Sequence, residues 1–289
     1  MDGQQDVQQR PWRSALYIPG SRPRALEKAL TLACDAIIFD LEDAVTPEEK
    51  VTARETLVGT LRSADYGRRG RIVRVNGLDT PWGANDLAAC AGLPVEAVLL
   101  PKVSAPADLD AAAARLADLP LWAMMETPAG MLNAAAIAAH PRLEGMVMGT
   151  NDLAKDLGAR FRRDRLPLAT GLGLCLLAAR AHGLVILDGV YNAFRDAQGL
   201  AAECAQGRDM GFDGKTLIHP DQIAVANTAF SPDAAEIALA RRQIAAYDAA
   251  RAAGQGVAVV DGRIVENLHI VAARRTLAQA EAIAAMHPA

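Results

Sequence analysis

Two carboxylates stand alone at the ends of short apolar runs: Glu126 closes LWAMM, and Asp152 follows GMVMGT. Carboxylates delivered from successive strand ends can share one Mg2+, which takes oxygen ligands and leaves several positions to water and substrate. Each could instead cap the helix that follows it, Glu126 ahead of Thr127-Pro128 and Asp152 within the pair Asn151-Asp152. Arg74 lies inside the apolar run I-V-R-V-N-G, where a guanidinium is costly to bury unless it meets an anion. Its partner is a substrate carboxylate or carbonyl, or a carboxylate of the preceding strand, unless it sits at the strand's exposed end. Asp40, Glu42 and Asp43, followed by Lys50 and Arg54, read mostly as an internal salt-bridge network that shapes the site, with a direct part in catalysis as the lesser alternative. Lys102, after Pro101, has the position of a Schiff-base lysine, but beside a metal site pairing with a carboxylate is the simpler reading. His219, in Ile218-His219-Pro220, reads equally well as a channel-lining residue and as a hydrogen-bonded loop histidine.

What these residues share is their place. DAIIFD leads into Leu41-Glu42-Asp43, RIVRV carries Arg74 with Asn76 just beyond, EAVLLP stops at Lys102, VIL at Asp188 and GKTLI at His219. A short apolar run closed by a polar residue and followed by a helical stretch is one βα unit. When such units curl into a barrel, the closing residues meet on one face, where barrel enzymes carry their sites. Strands are expected at 14–18, 36–41, 71–75, 96–101, 121–125, 145–150, 184–188 and 214–218, each apolar on consecutive positions like parallel strands covered on both faces. Helices are expected at 24–34, 47–62, 83–91, 105–117, 128–139, 165–182 and 195–209. This count makes residues 1–230 an α/β chain folded as a (β/α)8 TIM barrel. No GxGxxG opens a helix after a strand, which disfavours a doubly wound sheet.

The 289 residues are 51% hydrophobic with a net charge of −4, enough for a large core and unsuited to a nucleic acid partner. The basic group Arg160, Arg162, Arg163 and Arg165 is broken by Phe161 and Asp164 and reads as a solvated face. Cys34, Cys90, Cys175 and Cys204 form no CxxC and read as reduced thiols of a cytoplasmic protein. MDGQQDVQQRPW lacks the apolar core of a leader peptide, and no apolar run approaches the ~20 residues of a membrane span. From residue 231 the pattern changes. SPDAAEIALARRQIAAYDAARAAG reads as a helix capped by Ser231, with Pro232 in its first turn and Gly254 at its end. GVAVVDGRIV follows as a hairpin turning at Asp261-Gly262, then a helix from about Glu266 to Met286. Residues 231–289 are thus expected to form a helix-hairpin-helix extension, either a lid over the mouth or an arm gripping a neighbouring subunit.

The ordered motifs RSALYIPGSRPRALEKA, FDLEDAVTPEEKVTAR, RVNGLDTPW, LLPKV, METPAG, NDLAKDLG and GFDGKTLIHPDQI resemble the citrate lyase β-subunit-like proteins. These belong to the HpcH/HpaI aldolase superfamily, with malyl-CoA, β-methylmalyl-CoA and citramalyl-CoA lyases among them. The resemblance runs from about Arg13 to Ile283. It implies a (β/α)8 barrel, Mg2+ or Mn2+, a CoA-thioester substrate, and homotrimers or hexamers built from them. Glu126 and Asp152 fall on the family's metal ligands, and Arg74 on the arginine that polarises the carbonyl. Tyr17, Arg22 and Lys28, around Pro19-Gly20-Ser21, fall on positions that contact CoA, and His219 is expected to line the substrate channel. Family lyases bring an aspartate from the neighbouring subunit in a G-x-h-h-D segment. Here Gly262-Arg263-Ile264-Val265 leads to Glu266, one methylene longer, and misplacement on the order of 1 Å can cost ~100-fold in rate. Asn192 also stands where relatives often carry an acidic residue. The expected activity is a Mg2+-dependent lyase that cleaves a short 3-hydroxy-dicarboxylyl-CoA to an acyl-CoA and a 2-oxo acid. The alternatives are a malyl-CoA-type thioesterase using the same site, or a non-catalytic acyl-CoA-binding subunit.

Overall fold

The computed structural model describes residues 10–286. They divide into two compact units, Trp12–Phe230 and a second that gathers the chain from Ser231 onward with Arg10 and Pro11. Most of the N-terminal segment read above for its lack of a leader, through residue 9, lies outside the described residues.

The larger unit is a closed barrel of eight parallel strands paired in chain order, with the last closing on the first. They are β1 (Ser14–Pro19), β2 (Ala36–Asp40), β3 (Gly70–Arg74), β4 (Ala97–Leu100), β5 (Leu121–Met125), β6 (Leu143–Met148), β7 (Val185–Asp188) and β8 (Gly214–Leu217). Every expected strand is present. β2, β4, β5, β7 and β8 are buried at all their positions, as coverage on both faces requires. Trp12 and Trp122, with ring centroids 4.9 Å apart, pack at the N-terminal ends of β1 and β5, opposite the mouth.

The helices of this unit are α1 (Pro23–Ala29), α2 (Lys50–Ser63), α3 (Gly83–Cys90), α4 (Pro106–Ala113), α5 (Pro128–Leu132), α6 (Ala134–Ala138), α7 (Thr150–Asp156), α8 (Ala169–His182), α9 (Ala197–Met210) and α10 (Ile223–Ala229). Three details depart from expectation. The helix expected at 128–139 breaks at Asn133 into α5 and α6. α7 and α10 have no counterpart among the helices expected from the sequence. Each spans seven residues, too few for a helical period to show.

Register decides which strand-end side chains meet. Asp40 of β2 stands beside Arg74 of β3, and Asp188 of β7 beside Lys215 of β8.

In the smaller unit, α11 (Ala234–Ala252) is capped by Asp233 and not by Ser231. Asp233 Oδ1 accepts from Glu236 N at 2.7 Å and Glu236 Oε2 accepts from Asp233 N at 2.8 Å, so one reciprocal box satisfies two N–H groups. The hairpin is present as β9 (Ala258–Val260) and β10 (Arg263–Val265). Asp261 and Gly262 turn it with φ of +50° and +75°, the left-handed pair that two-residue hairpins need. α12 (Asn267–Met286) closes the unit, whose small core gathers Ala250, Ala258, Val265 and Ile270. Among the described residues no helix is long and apolar enough to cross a membrane.

Candidate active site

Glu126 directly follows β5 and is buried. It does not cap α5: the Thr127 hydroxyl does, accepting from Gly130 N at 3.0 Å. Asp152 lies in the first turn of α7, whose cap position is Gly149, and makes no capping bond. The capping alternatives therefore fail for both carboxylates. Glu126 Oε1 accepts the backbone N–H of Lys102 at 2.8 Å. Lys102 holds a left-handed φ of +52°, uncommon outside glycine, at the point where the chain leaves β4. Burial raises the Glu126 carboxyl to about 7; the Lys102 N–H bond opposes this, Glu42 adds to it, Arg74 opposes it and Asp152 adds to it. A Cβ at Gly149 would overlap Glu126 Cβ and Oε2, so glycine is what lets the end of β6 lie against this carboxylate.

The pair suits Mg2+. Its donors are all oxygens, and the charge of a bound cation removes the penalty that burial places on ionised Glu126. Among the described residues no three His, Cys, Asp or Glu side chains cluster at metal-ligand spacing. Two protein carboxylates with the remaining positions left to water and substrate oxygens is how Mg2+ is ordinarily bound.

Beside this pair, Arg74 is gripped by Asp40. Its Nε donates to Oδ1 at 2.7 Å and its Nη2 to Oδ2 at 2.6 Å, a fork-to-fork pair that the β2–β3 register makes possible. Its Nη1 lies 2.9 Å from Glu42 Oε2 and 3.4 Å from Asp43 Oδ2. Of the partners left open by the sequence, the structure displays the strand-two carboxylates. The Tyr17 ring packs under the guanidinium at 4.8 Å, with its hydroxyl donating to Met124 Sδ at 3.3 Å. Lys102 Nζ pairs with Glu42 Oε1 at 3.5 Å. Partial burial works against its charge, but Glu42, Asp43, Asp152 and Glu126 outweigh that and hold its pKa above the usual lysine value. A protonated amine cannot form a Schiff base, so pairing is the reading that fits. Burial raises the Glu42 carboxyl; Arg74 opposes this and the Asp43 and Asp40 charges reinforce it.

The loop carrying Glu42 is clamped from behind. Lys50 Nζ donates to the carbonyls of Leu41 (3.0 Å) and Glu42 (2.7 Å), and Asn76 Nδ2 donates to Leu41 O (2.9 Å) and Asp86 Oδ2 (2.6 Å). Asp86, fully buried, also takes Arg54 Nη1 at 3.0 Å. Sequence patterns did not single out Asp86, which sits in a helix with only its charge to mark it. A cleft of about 630 Å3 opens among the loops after β2, β3 and β4, lined by Glu42, Lys50, Asn76, Trp82, Lys102 and Asp108 among others.

Not every strand-end residue joins this group. Asp188 is fully buried: its Oδ2 accepts from Lys215 Nζ at 2.9 Å and its Oδ1 from Arg165 Nη1 at 2.6 Å. Burial pushes its carboxyl up, but Lys215 and Arg165 outweigh that and hold it below the usual range. Arg165 is thus a buried counter-ion and not part of a solvated face, whereas Arg162 and Arg163 are exposed as expected. Lys215 had the same signal as Arg74, a cation inside an apolar strand. His219 caps a short turn, its Nδ1 accepting from Asp221 N at 3.2 Å, and stacks on Phe194 at 4.6 Å. Arg22 and Lys28 are exposed at opposite ends of α1, and neither forms an ion pair among the described residues. Asn192 exchanges amide hydrogen bonds with Asn151, beside Asp152. Glu266 is exposed in the smaller unit, where its N–H donates to His269 Nδ1 at 3.2 Å.

Known proteins resemble this chain over most of its length. A (3S)-malyl-CoA thioesterase of Cereibacter sphaeroides (strain KD131) is 71% identical over 278 residues, covering 96% of this chain and 98% of that protein. An L-malyl-CoA/beta-methylmalyl-CoA lyase of Cereibacter sphaeroides (strain ATCC 17029) is 34% identical and covers 96% of each. Among solved structures, the protein CitE from Mycobacterium tuberculosis in complex with magnesium, acetoacetate and coenzyme A superposes with a TM-score of 0.79 at 34% identity, covering 93% of this chain and 97% of that one. The profile of the HpcH/HpaI aldolase/citrate lyase family matches residues 13–220, from the start of β1 to the turn after β8. With the closed barrel and the motifs of its strand ends, the chain belongs to the HpcH/HpaI aldolase/citrate lyase family.

Proposed function

We propose that this protein is a Mg2+-dependent thioesterase that hydrolyses a malyl-CoA-type thioester to the free hydroxy acid and CoA. The observation that carries this reading is the 71% identity to a (3S)-malyl-CoA thioesterase, against 34% for the malyl-CoA lyase. It displaces the lyase activity that the motifs favour, because both reactions use one metal, one thioester and one set of strand-end carboxylates, and the motifs record only those. The lyase remains the second reading, supported by a likeness that still spans 96% of the chain.

Glu126 and Asp152 would hold the Mg2+, which when bound supplies Lewis-acid polarisation to substrate oxygens. Arg74, with two of its nitrogens committed to Asp40 and Nη1 engaged by Glu42 and Asp43, acts mainly by holding the acidic loop. Tyr17, Arg22 and Lys28 would contact CoA; the two exposed cations at the ends of α1 suit its phosphates. His219, stacked on Phe194, would line the channel. We further assign residues 231–289 as an arm packed on a neighbouring subunit of a homotrimer or hexamer, delivering Glu266 as a proton-handling carboxylate. Exposed Val259, Ile264, Leu268 and Val271 supply the apolar surface for that contact. The four buried, unpaired thiols suit a reducing cytoplasm.

The test is incubation with malyl-CoA and Mg2+, measuring free CoA, malate and glyoxylate separately. CoA and malate in equal amounts without glyoxylate are expected. Glyoxylate matching acetyl-CoA would restore the lyase, and binding without turnover would leave a non-catalytic subunit.

A further inference from the structure

We infer that Lys102 is a positioning residue that sets which cation the site accepts, an inference that rests on the Mg2+ assignment above. Its backbone N–H occupies one oxygen of Glu126, so the carboxylate offers a single oxygen to the metal and favours Mg2+ over Ca2+. The two oxygens of Glu126 are not equivalent. Oε1 accepts the Lys102 N–H at 2.8 Å. Oε2 accepts no hydrogen bond among the described residues, yet it keeps accessible surface, unlike the sealed and unmatched hydroxyl oxygen of Ser21. It lies against Gly149, the cap of α7, whose first turn carries Asp152. The open oxygen therefore faces the segment that brings the second carboxylate, and the bonded one faces the end of β4.

The N–H is aimed at Oε1 by a backbone conformation that a residue with a side chain rarely adopts, the φ of +52° at Lys102. Such a conformation costs free energy and persists only where the surroundings over-determine it. Here they do. Ser104 Oγ and Thr127 Oγ1 share a hydrogen bond of 2.8 Å, and Asn133 Nδ2 donates to Ser104 O at 2.8 Å. A Cβ at Gly130 would overlap the Val103 carbonyl, so glycine lets the two segments touch. These contacts lace the turn after β4 to the segment after β5, which begins with Glu126. The ammonium of Lys102 takes no part in the lacing: it is 55% exposed and its contact is Glu42 Oε1 at 3.5 Å.

Mg2+ and Ca2+ differ in what they ask of a carboxylate. Ca2+ is larger, takes roughly 6–8 oxygens and often draws both from one carboxylate, whereas Mg2+ demands a near-ideal octahedron and keeps several waters. The N–H on Oε1 uses one of its lone pairs and places partial positive charge beside a cation that would use both oxygens. Held in this way, Glu126 suits the one-oxygen ligation that Mg2+ tolerates and Ca2+ gains less from.

The test is calorimetric titration of the full chain with Mg2+ and, separately, with Ca2+, in the absence of substrate. Lys102→Gly removes the ammonium but keeps the N–H and accepts positive φ without strain. An ester in place of the Pro101–Lys102 peptide bond removes the N–H alone and keeps the side chain. The ratio of Mg2+ to Ca2+ affinity should stay within about twofold of wild type in Lys102→Gly, because glycine holds the same turn. It should fall roughly tenfold in the ester form, the fold-change that one hydrogen bond to a charged group supplies. The wild-type ratio in the ester form would overturn the inference. Equal weakening of both metals, or an ester form that does not fold, would make the N–H merely structural and overturn it as well. A ratio as low in Lys102→Gly as in the ester form would assign the preference to the ammonium, against the inference. If wild type binds no Mg2+, or Glu126→Gln binds it equally well, the metal assignment falls and this inference with it.

Discussion

Replacing Arg74 by methionine keeps an unbranched apolar stem but removes the cation that Asp40 grips with two bonds of 2.7 and 2.6 Å. Asp40 and Glu42, with side chains 1% and 9% exposed, would then face each other with Lys102 Nζ at 3.5 Å as the nearest cation in contact with Glu42. Removing one partner of a buried ion pair costs about 3–5 kcal/mol. At roughly 2–4 °C per kcal/mol for a domain of this size, the melting temperature should fall by about 6–20 °C at pH 8. The loss should depend on pH. Burial already raises the Glu42 carboxyl, with Asp43 and Asp40 adding to it and Arg74 opposing. Without Arg74 it rises further above its unfolded value of about 4.3. A carboxyl whose folded pKa is raised binds its proton more tightly when folded, so the penalty is absent below the unfolded pKa and grows as pH climbs through the folded one. The gap between wild type and variant should therefore shrink from pH 8 to pH 5, measured by thermal melts followed by circular dichroism. A drop under ~1 kcal/mol, or one equal at both pH values, would refute Arg74 as the counter-ion of this cluster.

Glu126→Gln and Asp152→Asn should each abolish Mg2+-dependent turnover and leave the melting curve nearly intact; near-normal rates at limiting Mg2+ would remove the metal assignment. Gly149→Ala forces a methyl into Glu126 and should cost about 1–3 kcal/mol, with weaker Mg2+ binding by titration. Lys215→Met leaves Asp188 buried with Arg165 as its only strong partner and should cost about 3–5 kcal/mol. Lys215 and Arg165 hold Asp188 below its usual value against burial, so its contribution is present above the unfolded pKa of about 3.9 and lost as pH falls through the folded one. The Lys215→Met variant should accordingly unfold at a higher pH than wild type in an acid titration. Mixing inactive Glu266→Gln and Glu126→Gln subunits should restore part of the activity, and no recovery despite demonstrated subunit exchange would confine Glu266 to its own chain.

Much of this molecule is legible one segment at a time. Strands such as AIIFD and LWAMM announce themselves because a strand covered on both faces must be apolar at every position. The turn at Asp261-Gly262 is legible because few residues accept two successive left-handed conformations. Glu126 and Asp152 stand out because a lone carboxylate ending an apolar run has little reason to be there unless it binds something. α7, by contrast, is too short to show a period, and the capping box at Asp233 outcompetes the nearer-looking Ser231 by satisfying two N–H groups at once.

The partners of the buried charges are another matter. Arg74 and Lys215 carry the same signature, a cation within an apolar strand, yet one belongs to the mouth and the other to a sealed pair with Asp188. Which occurs depends on the register between β2 and β3 and between β7 and β8, and barrel closure sets that register only when all eight strands are in place. Arg165 reaches Asp188 across 23 residues, and Asp86 supports the Glu42 loop from a different helix. Local composition thus determined the elements and the strand ends that carry chemistry, because burial on both faces and turn geometry act on neighbouring residues. Which carboxylate is neutralised and which is clamped was decided only by the tertiary structure, because electrostatic pairing is a property of distance in space and not along the chain.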